Sequence, residues 1–170
     1  MSAPRRGFDR RETVNLLGLL GGLLVVMQLL PVGARRENPP VVAGPAWDSE
    51  RTRELFMHSC RDCHSNETRW PWYSAVAPMR WLVAHDVAEG REHLNVSEWH
   101  RPQRHADEAA KEVREGEMPL RSYLWFHPEA RLGAAERRDL VAGLAATFGE
   151  EDEREDGDRR REDARRGRDD

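Results

Sequence analysis

Two cysteines and a histidine stand together in the middle of the chain, with a spacing suited to chemistry. They form the run Cys60-Arg61-Asp62-Cys63-His64, and the chain of 170 residues has no other cysteine. Two thiols separated by two residues can each add to one vinyl group of the same porphyrin, and the adjacent imidazole can bind the iron from below. The motif therefore predicts one covalently attached haem c, with His64 as the proximal ligand.

Three other uses of a cysteine pair fit this sequence less well. A structural zinc site usually needs four nitrogen or sulfur ligands in two clusters, and the chain has no second cysteine pair. A thioredoxin-like dithiol needs a βαβ setting, but no alternating or β-branched run flanks the motif. A disulfide between Cys60 and Cys63 would close a very short loop and add little stability.

The second axial ligand decides what such a haem can do, and Met118 is the best candidate. It lies in a polar loop after Gly116, and Pro119 follows it directly. Proline fixes the backbone and removes a competing donor, which suits a rigid ligand loop. A neutral thioether favours ferrous iron and raises the reduction potential relative to a second imidazole. The predicted metal ligands are therefore His64 and Met118.

Other methionines and histidines could compete with Met118 for the iron. Met79 falls on the apolar stripe of a helix and is more simply interpreted as a core residue. His58 stands too near the attachment site to reach the far face of a porphyrin easily, whereas His85 and His127 stay open as alternatives. The remaining histidines are expected to face solvent: His93, His100 and His105.

Aromatic residues are concentrated after the motif. The chain has six tryptophans, and five of them follow the cysteines, which suits a domain that wraps a flat apolar cofactor. The propionates of a haem also need hydrogen-bond donors, because buried charges require partners. The candidates for this role are Arg69, Trp70, Tyr73 and Trp99, although each aromatic could equally be ordinary core.

An apolar stretch near the N-terminus determines where the motif is placed in the cell. Residues 14–32 are uncharged and, as a helix, would span roughly 28 Å, about one bilayer core. Four arginines precede the stretch in the basic segment 1–13, and two follow it. This bias predicts a cytoplasmic N-terminus and an exported remainder. We expect a transmembrane anchor; the alternative is a signal peptide cleaved at the small residues Val32-Gly33-Ala34.

The rest of the chain divides into a tether, a helical domain and a charged tail. Residues 33–46 contain three prolines and are expected to be an extended tether. Residues 150–170 contain 11 acidic residues and 7 arginines. Such a tail cannot bury enough apolar surface to offset its ordering entropy, so it is predicted to be disordered.

The domain itself, residues 47–149, carries helical patterns. A helix capped by Asp48 or Ser49 delivers the cysteine motif at its C-terminal end. A second helix starts near Pro78, with a possible interruption at Gly90. A third covers about residues 107–115 and stops at Gly116, and the last covers 134–148 after an aromatic loop at 123–127. The sequence therefore predicts an all-α, cytochrome-c-like domain behind an N-terminal transmembrane helix.

The residues around the motif resemble the bacterial haem-binding domain family. The resemblance covers about residues 49–148 and rests on the strings CRDCHSNETRWPWY (60–73), AP (77–78), WLV (81–83), EGR (89–91), LN (94–95), SEW (97–99), GEMP (116–119) and HPEA (127–130), and on Tyr123. It implies a small cytochrome-c-like haem domain, often behind an N-terminal anchor. It also implies that Cys60 and Cys63 attach the haem, that His64 is proximal and that Met118 is distal.

These expectations combine into one function, a membrane-anchored periplasmic monohaem protein that transfers single electrons and is not an enzyme. An iron with both axial positions filled has no place for a substrate. The expected location is the bacterial inner membrane, with the haem domain facing the periplasm or cell exterior. The expected partners are that membrane and an unidentified redox protein, and the net charge of −4 gives no reason to expect nucleic acid.

Two other functions stay open. A haem-based sensor or small-ligand-binding module would use a displaceable Met118. A peroxidase would need an open distal site with a polar acid–base group, such as His85 or His127 near an arginine, and nothing in the sequence brings these residues together.

Overall fold

The computed structural model describes residues 9–30 and 35–149, and over these residues the chain is helical without strands. The α-helices, in chain order, are α1 (Arg10–Leu29), α2 (Glu50–Ser59), α3 (Arg61–His64), α4 (Met79–His93), α5 (Ala109–Glu115), α6 (Arg121–Phe126) and α7 (Ala134–Phe148). Two short 3-10 turns cover Trp72–Ala75 and Pro128–Ala130. The all-α prediction is confirmed, whereas the predicted tail at 150–170 lies outside the described residues.

The chain forms two compact units. Among the described residues, the first combines 9–30 and 35–36 with Trp70–His85, and the second combines Glu37–Arg69 with 86–149. The predicted tether therefore divides between the two, at Arg36 and Glu37. The cysteine motif and the methionine loop both belong to the second unit.

In the first unit, α1 is a 20-residue helix that begins a few residues before the predicted apolar stretch. The helix is long enough to cross a membrane, and its mean hydropathy of 1.6 is high enough. None of this apolar stretch is buried by other parts of the protein. Gln28, near its end, donates a hydrogen bond to the carbonyl of Ala75 at 2.9 Å and accepts one from the N–H of Ala77 at 3.0 Å. One of the few polar residues of the helix thus binds backbone of its own unit.

In the second unit, α2, α5 and α7 pack around one hydrophobic core. Phe56, Leu140 and Leu144 are its largest fully buried side chains, and each contributes about 1.5–3 kcal/mol through burial. The other buried members of the core are Leu55, Leu94, Val96, Ala106, Ala110, Val113 and Phe148. This core holds the C-terminal end of α2, where the cysteine motif begins, against α5 and α7.

Local sequence signals account for most of these helix ends. Ser49 caps α2 by accepting a hydrogen bond from the N–H of Thr52 at 3.2 Å. Gly116 ends α5 in the left-handed conformation, with φ of 82°. The last helix has the predicted bounds. One expectation was wrong, because residues 123–126 of the predicted aromatic loop belong to helix α6 (Arg121–Phe126).

Candidate functional site

A cavity of about 380 Å³ opens beside the cysteine motif in the second unit. Its volume lies within the range of roughly 300–1,000 Å³ typical of small-molecule and cofactor sites. Residues from α2, α3, the second half of α4, α5, α6 and α7 surround it. Cys60, Cys63, His64 and Met118, the predicted attachment and ligand residues, all line it. We call residues 60–64 the motif wall and residues 116–123 the methionine wall.

On the motif wall, the chain turns from α2 directly into α3 and directs both cysteines at the cavity. The N–H of Cys60 donates to the carbonyl of Phe56 at 2.8 Å, and the N–H groups of Cys63 and His64 donate to the carbonyl of Cys60 at 3.3 and 3.0 Å. Both thiols are free. This short helical turn places two thiols and the imidazole at one edge of the same space.

The environment of the two thiols favours their protonated form. Burial raises the pKa of the Cys60 thiol to about 12, with a smaller contribution from Cys63. Burial also raises the pKa of Cys63 to about 12, reinforced by the carboxylates of Asp62 and Asp86. Zinc ligands and redox-active cysteines work as thiolates, which basic or metallic surroundings normally stabilise. Two neutral thiols facing an apolar space suit attachment to an apolar group instead.

The imidazole of His64 is oriented by the backbone of the segment that follows α4. Its Nδ1 lies 3.1 Å from the carbonyl oxygen of Leu94. Burial lowers the pKa of His64, which favours the neutral ring. A neutral ring that donates its Nδ1–H to a carbonyl keeps the lone pair on Nε2, which is the arrangement of most metal-binding histidines.

The carbonyl of Leu94 is itself held in place by buried polar contacts. The N–H of Val96 donates to the carbonyl of His64 at 3.0 Å. The amide of Asn95 donates to Asn66 Oδ1 at 2.9 Å, and the N–H of Asn66 donates to the hydroxyl of Ser97 at 2.9 Å. Because these groups are buried, the loss of any partner would leave an unsatisfied polar atom. The network therefore fixes the histidine and its hydrogen-bond acceptor together.

Gly90 lets helix α4 come close to the motif wall. A Cβ at this position would lie 2.7 Å from the carbonyl oxygen of Cys63 and 2.9 Å from its Cβ. The predicted interruption of the helix at Gly90 was wrong, since α4 continues to His93. The glycine permits close packing between two segments instead of breaking one.

Backbone hydrogen bonds join the Met118 segment to the end of α5. The carbonyl oxygen of Glu112 accepts hydrogen bonds from the N–H groups of Gly116, Glu117 and Met118, the last two at 3.0 and 3.1 Å. The left-handed conformation of Gly116 brings these groups back toward the helix. The Met118 side chain is partly buried and packs against the core while it lines the cavity.

Acidic residues and two histidines complete the lining on the side of α4 and α5. His93 and His105, which were expected to face solvent, both line the cavity, with ring centroids 4.8 Å apart. His105 Nδ1 lies 2.8 Å from the carboxylate of Glu108. The carboxylates that line the cavity are Asp62, Asp86, Glu89, Glu108 and Glu112. Among the described residues, no group of three or more histidines, cysteines and acids is arranged to hold a metal ion.

The predicted propionate partners do not line the cavity. The backbone N–H of Arg69 donates to Asp62 Oδ1 at 2.9 Å, and the side chain of Arg69 is exposed. Trp99 stacks on Phe148 with ring centroids 5.0 Å apart. Trp70 and Tyr73 belong to the first unit, where Tyr73 meets the edge of Trp72. Their assignment to the propionates stays a prediction.

The competing ligands lie elsewhere among the described residues. His58 Nε2 lies 2.7 Å from the carbonyl oxygen of Glu129. His127 Nδ1 lies 3.1 Å from the Glu129 carboxylate, and its ring stacks on Tyr123 at 4.3 Å. Met79 and His85 belong to the first unit. Met118 is thus the methionine that the fold brings to the same cavity as His64.

Three features of the site have no local signal in the sequence. The Leu94 carbonyl belongs to a backbone that any residue could supply. The Tyr123 hydroxyl donates to Asp62 Oδ2 at 2.8 Å, across a long separation in the chain. The position of His105 beside His93 depends on how the loop after α4 folds back. Gly90 was noticeable in the sequence as a glycine inside a helical pattern, and Tyr123 as one of the residues that carry the family resemblance.

The residues around the cavity fit a haem. The two thiols, the oriented imidazole and the thioether share one largely apolar space, and Gly90 leaves no side chain between α4 and Cys63. A family model described as a haem-binding domain matches residues 22–146. Searches of curated proteins and of solved structures found no match. The match covers most of the chain, so this protein belongs to the haem-binding domain family and its cofactor is haem.

Proposed function

We propose that this protein carries single electrons at a membrane, through one covalently attached haem c with His64 and Met118 as axial ligands. The observation that carries the proposal is the shared cavity, which two thiols, a backbone-oriented imidazole and a thioether all line. The two thiols form no disulfide, so both are available for attachment to a group in the cavity.

Each residue has a defined task in this proposal. The Cys60 and Cys63 thiols each add across a vinyl double bond, so that sulfur forms one new carbon bond, its hydrogen goes to the neighbouring carbon, and no oxidant is required. His64 offers Nε2 because its Nδ1–H is held by Leu94. Met118 supplies a neutral sulfur, which favours the reduced state. When bound, the haem supplies a one-electron couple between ferrous and ferric iron.

The proposal assigns no catalytic acid or base. With His64 and Met118 both holding the iron, the metal would offer no open position to a substrate. A carrier needs only a rigid site that changes little between its two oxidation states, and the buried hydrogen bonds around His64 support such rigidity. We therefore propose that the protein is not an enzyme.

Helix α1 supports anchoring in a membrane. It is long and apolar enough to cross a bilayer. Arg10 and Arg11 stand at its start, and Arg35 and Arg36 follow its end. With the arginines of the first residues included, the excess of positive charge lies on the N-terminal side, which favours a cytoplasmic N-terminus. The haem unit would then face the periplasm or the cell exterior, where a redox partner protein would meet it.

The first experiment asks whether the haem is covalently attached. Full-length protein produced with an export and haem-maturation system should have the mass of the polypeptide plus one haem, and the haem should resist acid–acetone extraction. A bare polypeptide mass, with free or paired thiols, would contradict the proposal at its base.

The second experiment asks which residue is the distal ligand. The ferric protein should show the weak sulfur-to-iron charge-transfer band, and Met118→Ala should abolish it. Met79→Ala is the matched control, because Met79 lies in the first unit, and it should retain the band. A band that survives Met118→Ala would contradict the distal assignment.

A sensor or small-ligand-binding role is the second candidate. It is favoured by the position of Met118 in a loop outside any helix, where the sulfur can move away without unfolding a secondary-structure element. Carbon monoxide added to the reduced protein distinguishes the two functions. A carrier should bind it slowly or not at all, whereas rapid binding by the wild-type protein would favour the sensor.

A further inference from the structure

Helix α6 is the part of the cavity lining that no sequence pattern predicted. It begins three residues after Met118, at Arg121. Its Tyr123 lines the cavity together with Asp62, one of the two residues between the cysteines of the motif. The Tyr123 hydroxyl donates a hydrogen bond to Asp62 Oδ2 at 2.8 Å. This bond joins the methionine wall directly to the motif wall.

Asp62 is well placed to hold such a bond. Its side chain is only 13% exposed. Its other carboxylate oxygen, Oδ1, accepts the backbone N–H of Arg69 at 2.9 Å and lies 3.6 Å from Arg61 Nε. The backbone carbonyl of Asp62 accepts the hydroxyl of Thr68 at 2.7 Å. A carboxylate fixed on this side is a rigid acceptor, and hydrogen bonds to an ionised group are roughly twice as strong as neutral ones.

Helix α6 is largely exposed. None of its six described residues is buried, and Trp125 and Phe126 are 81% and 57% exposed. Short helices with little buried apolar surface are only marginally stable by themselves. Another contact to α6 comes from the side chain of Arg131, which donates a hydrogen bond to the backbone carbonyl of Leu124 at 3.2 Å. The bond to Asp62 therefore ties a largely exposed helix directly to the motif wall.

We propose that Tyr123 is a positioning residue for the distal ligand, and that its bond to Asp62 holds the Met118 loop closed over the cavity. Met118 is fixed at one end by the Glu112 carbonyl and continues at the other into α6. When α6 is tied to Asp62, the segment between these two points has little freedom, and the sulfur stays directed at the cavity. This inference rests on the proposed function, since it needs Met118 to bind the iron.

The test removes the hydroxyl and keeps the ring. In full-length holoprotein, Tyr123→Phe should weaken the sulfur-to-iron charge-transfer band. Carbon monoxide should bind the reduced variant about tenfold faster or more, because a hydrogen bond to a charged group typically shifts an equilibrium by at least that factor. Trp125→Phe is the matched control on the same helix; its side chain points to solvent, and both readouts should stay at the wild-type level.

Asp62→Ala tests whether the effect of Tyr123 passes through this one bond. The single variant should reproduce Tyr123→Phe, and the double variant should be no more open than either single one. Additive effects, or a Tyr123→Phe protein with an unchanged band and unchanged carbon monoxide binding, would overturn the positioning role and leave the proposed function intact. A wild-type protein without the band would overturn both.

Discussion

The two walls of the cavity are held by different means. The motif wall is a helical turn whose histidine is oriented by Leu94, and the segment that carries Leu94 is fixed by the buried side chains of Asn66, Asn95 and Ser97. The methionine wall is a loop suspended from Glu112 and continued by a helix without buried residues. The difference indicates that the proposed ligand His64 is built into the core of the unit, whereas the proposed ligand Met118 can be released at small cost.

The largest expected effect comes from breaking the motif wall chemically. Cys63→Ala leaves one thiol to form a thioether and removes the proposed attachment next to His64. We expect the yield of holoprotein to fall to a small fraction of the wild-type yield, measured by mass spectrometry and by haem absorbance per polypeptide. Met118→Ala is the informative comparison, since it should leave attachment unchanged. Equal loss of haem from both variants would contradict the division between the walls.

The next largest effect is expected from adding a side chain between α4 and the motif wall. Gly90→Ala places a methyl group 2.7 Å from the carbonyl oxygen of Cys63. Backbone must move to relieve this clash, so the free energy of unfolding should fall by about 1–3 kcal/mol. Denaturant unfolding of the holoprotein measures it. Glu92→Ala, at an exposed position of the same helix, is the control and should change stability by less than about 0.5 kcal/mol.

A smaller effect should follow from the matching change on the methionine wall. Gly116→Ala forces an L-residue into a backbone with φ of 82°, which costs about 1 kcal/mol. Because this strain acts on the loop that carries Met118, we expect the charge-transfer band to weaken more than global stability falls. A variant with lowered stability and an unchanged band would show that the two walls are more alike than their contacts indicate.

The smallest expected effect is a loss of stability at acid pH. Glu98 accepts a hydrogen bond from Arg101, and it also accepts one from the amide of Asn66 at 3.2 Å. These bonds lower the pKa of Glu98 from its ordinary value of 4.5. A carboxyl with a lowered folded-state pKa contributes stability above its unfolded pKa and loses it as the pH falls through the folded value. The free energy of unfolding should therefore decline as the pH falls below about 4.5. This loss comes from contacts of Glu98 close to the motif wall.

Glu98→Gln identifies this contribution. The variant should be slightly less stable than the wild type at pH 7, and the difference should shrink as the pH falls below about 4.5. Denaturant midpoints measured across this range give the comparison. A difference that stays constant with pH would assign the decline to other carboxylates.

The sequence predicted the parts of the site that depend on neighbouring residues. Ser49 caps a helix, Gly116 ends one, and the spacing of Cys60, Cys63 and His64 places all three on one turn, because each of these effects acts within a few residues. The same reasoning brought Met118 into a loop next to the end of α5. Local chemistry was sufficient for these elements.

Contacts across long separations explain the rest. The bond between Tyr123 and Asp62 and the pairing of His93 with His105 arise only when distant segments fold together. Helix α6 has six residues, too few to show a helical period. Gly90 looked like a helix breaker because the sequence does not reveal the neighbour that needs the space.

The backbone hydrogen bonds that join the Met118 segment to Glu112 have a consequence for thermal unfolding. Helix α5 is only seven residues long, and the last turn of a short helix opens far more often than a packed core unfolds. Each fraying event releases the backbone that carries the sulfur. On heating, the absorption spectrum of the haem should therefore change at a lower temperature than the ellipticity is lost. The spectrum would then report the opening of one helix end.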